Sequence, residues 1–431
     1  MKKILMRAGM SPLKNYEVPD VLQNNLIGNN IGNMLFPHSV MRAVMCEDTE
    51  VVPIVPTIRF SEKQVQKINE EYDMLLLPFA NAFRKSYMDN LESITALVRR
   101  LTIPCVVVGV GAQAGIGKEI ENPRLDRAVT DFMSAVLEKS SIVGVRGEFT
   151  AKYLETLGFH EERDFTVIGC PSMFLYGAKL PEMNPVELTP DTPVSINSKI
   201  QLSGKFHQFM EKSRKVFHNY HYVPQVIEEI RMMYWAEPLP DGFTSKIPKS
   251  FPASYRAEIY RRGNALSFVN VPSWLSYLEK KEFSFGSRIH GNIAAILAGT
   301  PVFIMVPDER IRELAVYHGI PHMLIKEIKK ETDIFKLYEK ADFSAIYSGH
   351  EKRFRHYLDF LHKNGVETIY DHTEAADRQA PFDRVLEQIC FTGPLLPYAQ
   401  MDKKEQRNRK MQASFPAQVH WKLRNRNRKE F

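Results

Sequence analysis

An α/β fold of two Rossmann-like domains facing a cleft is predicted by three features of the sequence. Short apolar runs alternate with amphipathic stretches, the pattern of a parallel sheet covered by helices. The alternation breaks at Leu180–Pro193, which holds four prolines, and then resumes. At 431 residues the chain is long for a single core, so two domains are the natural division. The expected layout is residues 1–182, a linker at 183–193, a second domain at 194–390, and a basic tail at 391–431.

The first series opens with a strand at Lys3–Met6 and a polar loop through Asn29-Asn30-Ile31-Gly32-Asn33. A helix is predicted from about Asn33 to Cys46, and a strand at Tyr72–Leu77 ended by Pro78. Leu91–Leu101 reads as a helix and Pro104–Val108 as a strand running into Gly109-Val110-Gly111. Helix Asp126–Lys139, strand Ile142–Val145, helix Glu148–Leu157 and strand Phe165–Ile168 complete it. The second series begins with strand Val194–Asn197, helix Phe206–His218 and strand Tyr220–Pro224. Leu239–Pro252, rich in Pro, Gly, Ser and Lys, reads as an insertion or mobile loop. An apolar run then stops at Gly286-Ser287, and Ile289, Ile293, Ile296 and Leu297 form the apolar face of a helix that Gly299 can end. Val302–Val306 is a buried strand, and Pro307-Asp308-Glu309-Arg310 opens another helix. Ser348–His372 reads as helical, packing back across the domains.

The net charge of +6 is uneven. Residues 401–431 hold ten Lys/Arg against three Asp/Glu, leaving 47 against 48 in the rest. A solvated tail and attachment to anionic lipid both fit this pattern. Nucleic acid is not an expected partner, because no recognition module accompanies the basic stretch. The apolar run at the N-terminus is too short for a signal peptide, and Ile293–Val306 is too short to span a bilayer. Four scattered cysteines without a CxxC pair suit reduced thiols. The expected location is cytoplasmic, with a peripheral place at the inner membrane face if the tail binds lipid.

The chemistry concentrates in the two turns that follow the apolar runs of 283–306. Arg288 and His290 lie in one, and Asp308, Glu309 and Arg310 in the next. In a parallel sheet both turns fall on the edge where such folds bind ligands. An Arg beside a His at a helix N-terminus suits an anion that also needs a proton moved. His218 and His221 have no carboxylate completing a metal set, so no metal is expected.

Phe285–Gly319 resembles the polysaccharide pyruvyl transferase family through Arg288-Ile289-His290, Gly299-Thr300-Pro301, Asp308, Arg310 and His318-Gly319. Weaker matches precede it: Asn30-Ile31-Gly32-Asn33, Val108-Gly109-Val110-Gly111, and Val145-Arg146-Gly147-Glu148 with Tyr153–Gly158. The chain departs from the pattern where Asn33 and Gly147 replace Asp, where Arg310 replaces Lys, and where Pro78-Phe79-Ala80-Asn81 stands in place of a glycine-rich turn. The resemblance implies a GT-B-like fold and transfer of a pyruvyl group from phosphoenolpyruvate to a sugar or lipid-linked glycan. Phosphoenolpyruvate is then the donor substrate, and no separate cofactor is implied. His290 is the implied proton-transfer residue. Arg288 and Arg310 would hold the donor's anionic groups, Arg146 would close over it, and the helix opening at Ser287 would add N–H donors. Asn33 is the implied contact on the acceptor side. The rival readings are a glycosyltransferase using a nucleotide sugar and a non-catalytic glycan- or membrane-associated relative.

Overall fold

The computed structural model describes residues 1–56, 59–244, 247, 251–371 and 379–414. Eleven strands are present among them: β1 (Lys2–Arg7), β2 (Thr49–Ile54), β3 (Met74–Pro78), β4 (Cys105–Val108), β5 (Val143–Val145), β6 (Phe165–Val167), β7 (Val194–Asn197), β8 (Tyr220–Tyr222), β9 (Phe283–Gly286), β10 (Val302–Val306) and β11 (His322–Leu324). The first sheet has the order β2-β1-β3-β4, and β5 pairs with β6 beside it. A parallel bridge between Val110 and Val145 joins the two, so the N-terminal half forms one continuous parallel layer. The second sheet, β11-β10-β9-β7-β8, is also parallel throughout. Two such layers are the α/β, GT-B-like arrangement of two Rossmann-like domains.

The central strands form because they are apolar on both faces. All of β3, β4, β9 and β10 is buried, as a strand covered by helices on each side requires. The predicted strands are all present with ends shifted by a few residues. Two were not predicted, β2 and β11. Pro53 interrupts the first, which is tolerated because β2 is the sheet edge and pairs with β1 alone. The other has only three residues and lies at the opposite sheet's edge.

The helix expected from Asn33 begins instead with a tight 3-10 turn, Ile31–Met34, and continues as Leu35–Val44. Ser348–His372 is helical only over His350–Lys363, where Gly365 at φ +69° follows the helix end; His372 lies outside the described residues. That helix does cross back. Its Phe354, Tyr357, Phe360 and Leu361 pack with Ile4, Met6, Val106 and Val108 of the first sheet. Conversely, Val18, Val21, Leu22, Ile27 and Ile31 of the first half pack in the second half's core. In Leu239–Pro252, residues 245, 246 and 248–250 lie outside the described ones, while Phe251 is buried against His207 and Tyr222.

The stretch assigned to a basic tail begins as part of the body. Lys403–Ser414 is a helix lying on the helix Ile227–Trp235. Arg409 is buried there, its guanidinium 4.0 Å above Tyr234 and donating to the Leu396 carbonyl. Phe415, Trp421 and Phe431 lie outside the described residues. No helix among the described residues is long and apolar enough to cross a membrane.

Candidate active site

Strand polarity gathers the site. The chain just after β1, β3, β7, β9 and β10 borders one cavity of about 590 Å³. Each of these ends contributes a cation: Arg7 from β1, Arg84 after β3, Lys199 after β7, Arg288 after β9 and Arg310 after β10. Lys14 stands exposed on the same wall, and His290 and His38 are also in the lining. Among the described residues that line it there is no Asp or Glu.

The turn after β9 depends on Gly286. A β-carbon there would lie 1.7 Å from the Asn197 carbonyl oxygen, and its φ of +144° is one L side chains avoid. This close approach locks the β7 and β9 turns together. Ser287 N donates to the Asn197 carbonyl at 3.2 Å, and Ser287 Oγ accepts from Lys199 N at 3.0 Å. The Asn197 side chain accepts from Arg288 N at 2.8 Å. Ser287 therefore aligns Lys199 with Arg288.

Arg288 is fixed by its own half. Its Nε donates to the Ser198 carbonyl at 2.9 Å, and Nη2 lies 3.6 Å from Glu229 Oε2. Glu229 is fully buried and its Oε1 accepts from Tyr222 Oη at 2.6 Å. Burial pushes the Glu229 carboxyl up to about 7, against the opposing pull of Arg288 and Tyr222. Arg310, 16% exposed, has Nε 3.7 Å from Asp308 Oδ1 and no hydrogen-bond partner for that nitrogen. Asp308 itself caps the helix Glu309–Tyr317 through Ile311 N.

His290, 7% exposed, lies in the first turn of the helix Ile289–Leu297. It packs against Phe36 at 5.8 Å between ring centres, and its Nε2 is 3.7 Å from Cys170 Sγ. Gly32 from the other half gives it room, since a β-carbon there would come within 2.7 Å of His290 Cβ. Burial, then Arg146 and Arg310, push its pKa well below the usual imidazole range, which favours the neutral ring. His38 is pushed down to about 3 by burial and then Arg42, and stands edge-on to Phe382.

Arg146 lies behind the cavity rather than in its lining. It is fully buried and is not among the lining residues. Its Nε donates to the Gly109 carbonyl at 2.7 Å and Nη2 to the Phe79 carbonyl at 2.8 Å, so it braces the turns behind the cavity. Its Nη1 has no partner. Asn33 does line the cavity, but its amide donates to the carbonyls of Ile27 and Gly28 at 3.2 and 2.6 Å, holding the asparagine-rich loop in shape.

Sequence reasoning passed over Arg7, Arg84, Lys199 and Glu229. The first three do carry a signal: each is the last residue of a strand or follows one in a turn. The turns that converge are evident only once the sheet order is known.

A sequence model described as polysaccharide pyruvyl transferase matches residues 30–309. The chain belongs to that family. The matched stretch of this pyruvyl transferase family member, a transferase by its family, contains Asn33, Arg146, Ser287, Arg288 and His290 and stops one residue before Arg310. A comparison with curated proteins finds no match. Among solved structures, a UDP-GlcNAc 2-epimerase from Methanocaldococcus jannaschii, bound to UDP-GlcNAc and UDP, is 10% identical with a TM-score of 0.42, covering 84% of this chain and 100% of that one. The MnaA–UDP structure from S. aureus is 12% identical with a TM-score of 0.39, covering 81% and 91%. An uncharacterised Klebsiella pneumoniae protein is 12% identical with a TM-score of 0.39, covering 75% and 92%.

The structure accounts for one departure from the family pattern. At Gly147, where the resemblance expects Asp, a β-carbon would meet Glu313 Cβ at 2.8 Å. Glu313, from the other half, accepts from Thr150 N and Thr150 Oγ1 at 3.0 Å each. It caps the helix Glu148–Thr156, whose own N-cap has no side chain to do so.

Proposed function

We propose that the protein transfers the pyruvyl group of phosphoenolpyruvate to a sugar of a polysaccharide or its precursor, forming a cyclic ketal. The observation that carries this reading is the cavity's charge: five Arg/Lys at converging strand ends, no carboxylate in the described lining, and a neutral imidazole in the same wall. A donor with a carboxylate and a phosphate answers the part of that field that the second half supplies. Arg288 and Arg310 present guanidinium forks suited to both groups, and Lys199 adds a point charge. The asparagine-rich wall at Asn24, Asn25, Asn29, Asn30 and Asn33 gives the neutral polar surface that sugar hydroxyls need.

The reaction converts phosphoenolpyruvate and two sugar hydroxyls into a ketal and inorganic phosphate. One hydroxyl proton ends on the donor's methylene carbon, making the methyl group, and the other leaves with phosphate. Both new C–O bonds form at the donor's central carbon as the C–O bond to phosphate breaks. Neutral His290 can take a hydroxyl proton and pass it on. Its basicity is held low chiefly by burial, with Arg146 and Arg310 adding repulsion of a positive ring. The donor's negative charges would offset the arginines' share of this, making the imidazole a stronger base when the donor is bound.

A nucleotide-sugar glycosyltransferase of this architecture would want a carboxylate in the second domain to hold a ribose, and the described lining offers none. Titrating phosphoenolpyruvate by calorimetry and following phosphate release with a sugar panel tests the reading. Donor binding with acceptor-dependent phosphate release is expected. Absence of binding would overturn it.

A further inference from the structure

We propose that the acceptor sugar carries an anionic group of its own, a phosphate ester or a carboxylate, and that Arg7 and Arg84 receive it. This rests on the pyruvyl-transfer reading. The donor has about three negative charges at neutral pH, and the second half already supplies Lys199, Arg288 and Arg310 to the same cavity. Arg7 and Arg84 enter from the first half, at the end of β1 and after β3, and exceed what the donor requires.

Both are held ready by neutral groups. Arg7 Nη1 donates to the Pro78 carbonyl at 2.9 Å and Nη2 to Tyr87 Oη at 3.3 Å, with the guanidinium 4.7 Å over Phe79. Arg84 donates to Asn81 Oδ1 and lies 5.4 Å over Tyr87. Its buried Nε has no partner. Neither arginine makes an ion pair among the described residues, although surface arginines of this chain commonly do, as Arg100 with Glu62 and Arg384 with Glu47 show. Burial, and then Arg310 and Arg7, lower the Arg84 pKa, so the free site pays for like charges held together. A neutral sugar would leave both forks unused. A phosphate or carboxylate on the acceptor would fill them and would fix which sugar face meets His290.

The test is binding to protein saturated with phosphoenolpyruvate, by calorimetry, with glucose 1-phosphate, glucuronate and glucose as probes. At least one anionic sugar is expected to bind ten-fold or more tightly than glucose, and the two anionic arms separate phosphate from carboxylate recognition. Arg84→Gln and Arg7→Gln should each weaken the anionic sugar about ten-fold and leave the donor's Kd within three-fold. Arg84→Lys, which keeps charge without the fork, should recover part of the loss. Equal affinity for all three sugars overturns the proposal, as does an Arg84→Gln loss falling equally on the donor. Failure of phosphoenolpyruvate to bind overturns the pyruvyl-transfer reading and this proposal with it; failure of the anionic sugars alone overturns only this one. The wild-type comparison stands without the variants, should either prove unstable.

Discussion

His290 and Arg288 could be placed beside one strand end from the sequence, and the structure puts both in the cavity wall. Their surroundings could not, since Gly32, Phe36 and Cys170 reach His290 from distant stretches. His290→Ala should lower kcat by about a hundred-fold or more while shifting Tm little, because the ring's one hydrogen-bond contact among the described residues is the long one to Cys170 Sγ. Steady-state kinetics beside a melting curve checks both, and full activity removes the assigned role. Glu229 yields a pH prediction. Arg288, Tyr222, Tyr260 and Glu228 are the charged or titratable groups that act on it. Its folded pKa of about 7 lies above the ordinary carboxyl value, so the folded state holds the proton more tightly. Its contribution to stability is therefore full below the unfolded value and is lost as pH rises through 7. Relative to Glu229→Gln, the wild type should lose stability between pH 5 and 8, at most about 3 kcal/mol. Protonation also frees Arg288 for the donor. Donor affinity measured as the ratio of wild type to variant should rise as pH falls through 7, and a flat ratio would sink the coupling.

At the scale of elements, the buried parallel strands were legible because Val106, Leu76 and Ile304 and their neighbours are apolar on both faces. The edge strand β2 was not, since Pro53 reads as a breaker until the sheet shows that its position needs no second partner. The helix His350–Lys363 was legible as a helix, and its crossing was anticipated, but nothing local shows that Phe354 and Phe360 meet β1 and β4. The turn after β9 is where an element decides the site. Gly286→Ala would force a β-carbon into the Asn197 carbonyl and strain a φ of +144°. The β7 and β9 turns would have to part, displacing Lys199 and Arg288 together. A loss of several kcal/mol in stability and of most donor affinity is expected, read by chemical denaturation and calorimetry. Retained donor affinity in a folded Gly286→Ala protein would mean that the clasp does not set the site.

At the scale of the whole molecule, the two halves interlock, and the cavity is the space they leave. Asn30 bridges Val226, Gly115 bridges Asp308, and Glu309 N donates to the Ala114 carbonyl at 3.1 Å. Thr150 with Glu313, and Cys170 N with His318 Nε2, join the same halves behind the cavity wall. None of these contacts uses the final residues of the chain, and the helix Lys403–Ser414 is already docked on the second half. The remaining basic stretch, 415–431, has five Lys/Arg against one Glu, together with Trp421. That composition suits a second role at an anionic surface, since each basic residue near such a surface contributes about 1 kcal/mol. Attachment through this stretch would be tested apart from donor binding. Removing 415–431 should abolish co-sedimentation with vesicles containing phosphatidylserine while leaving phosphoenolpyruvate affinity within two-fold. Raising salt to about 0.5 M should release the full-length protein in the same way, because the attraction is screened within a Debye length. Vesicle binding that survives the deletion would move the membrane contact to Lys14 and the cavity mouth. A fall in donor affinity would instead make the tail part of the site.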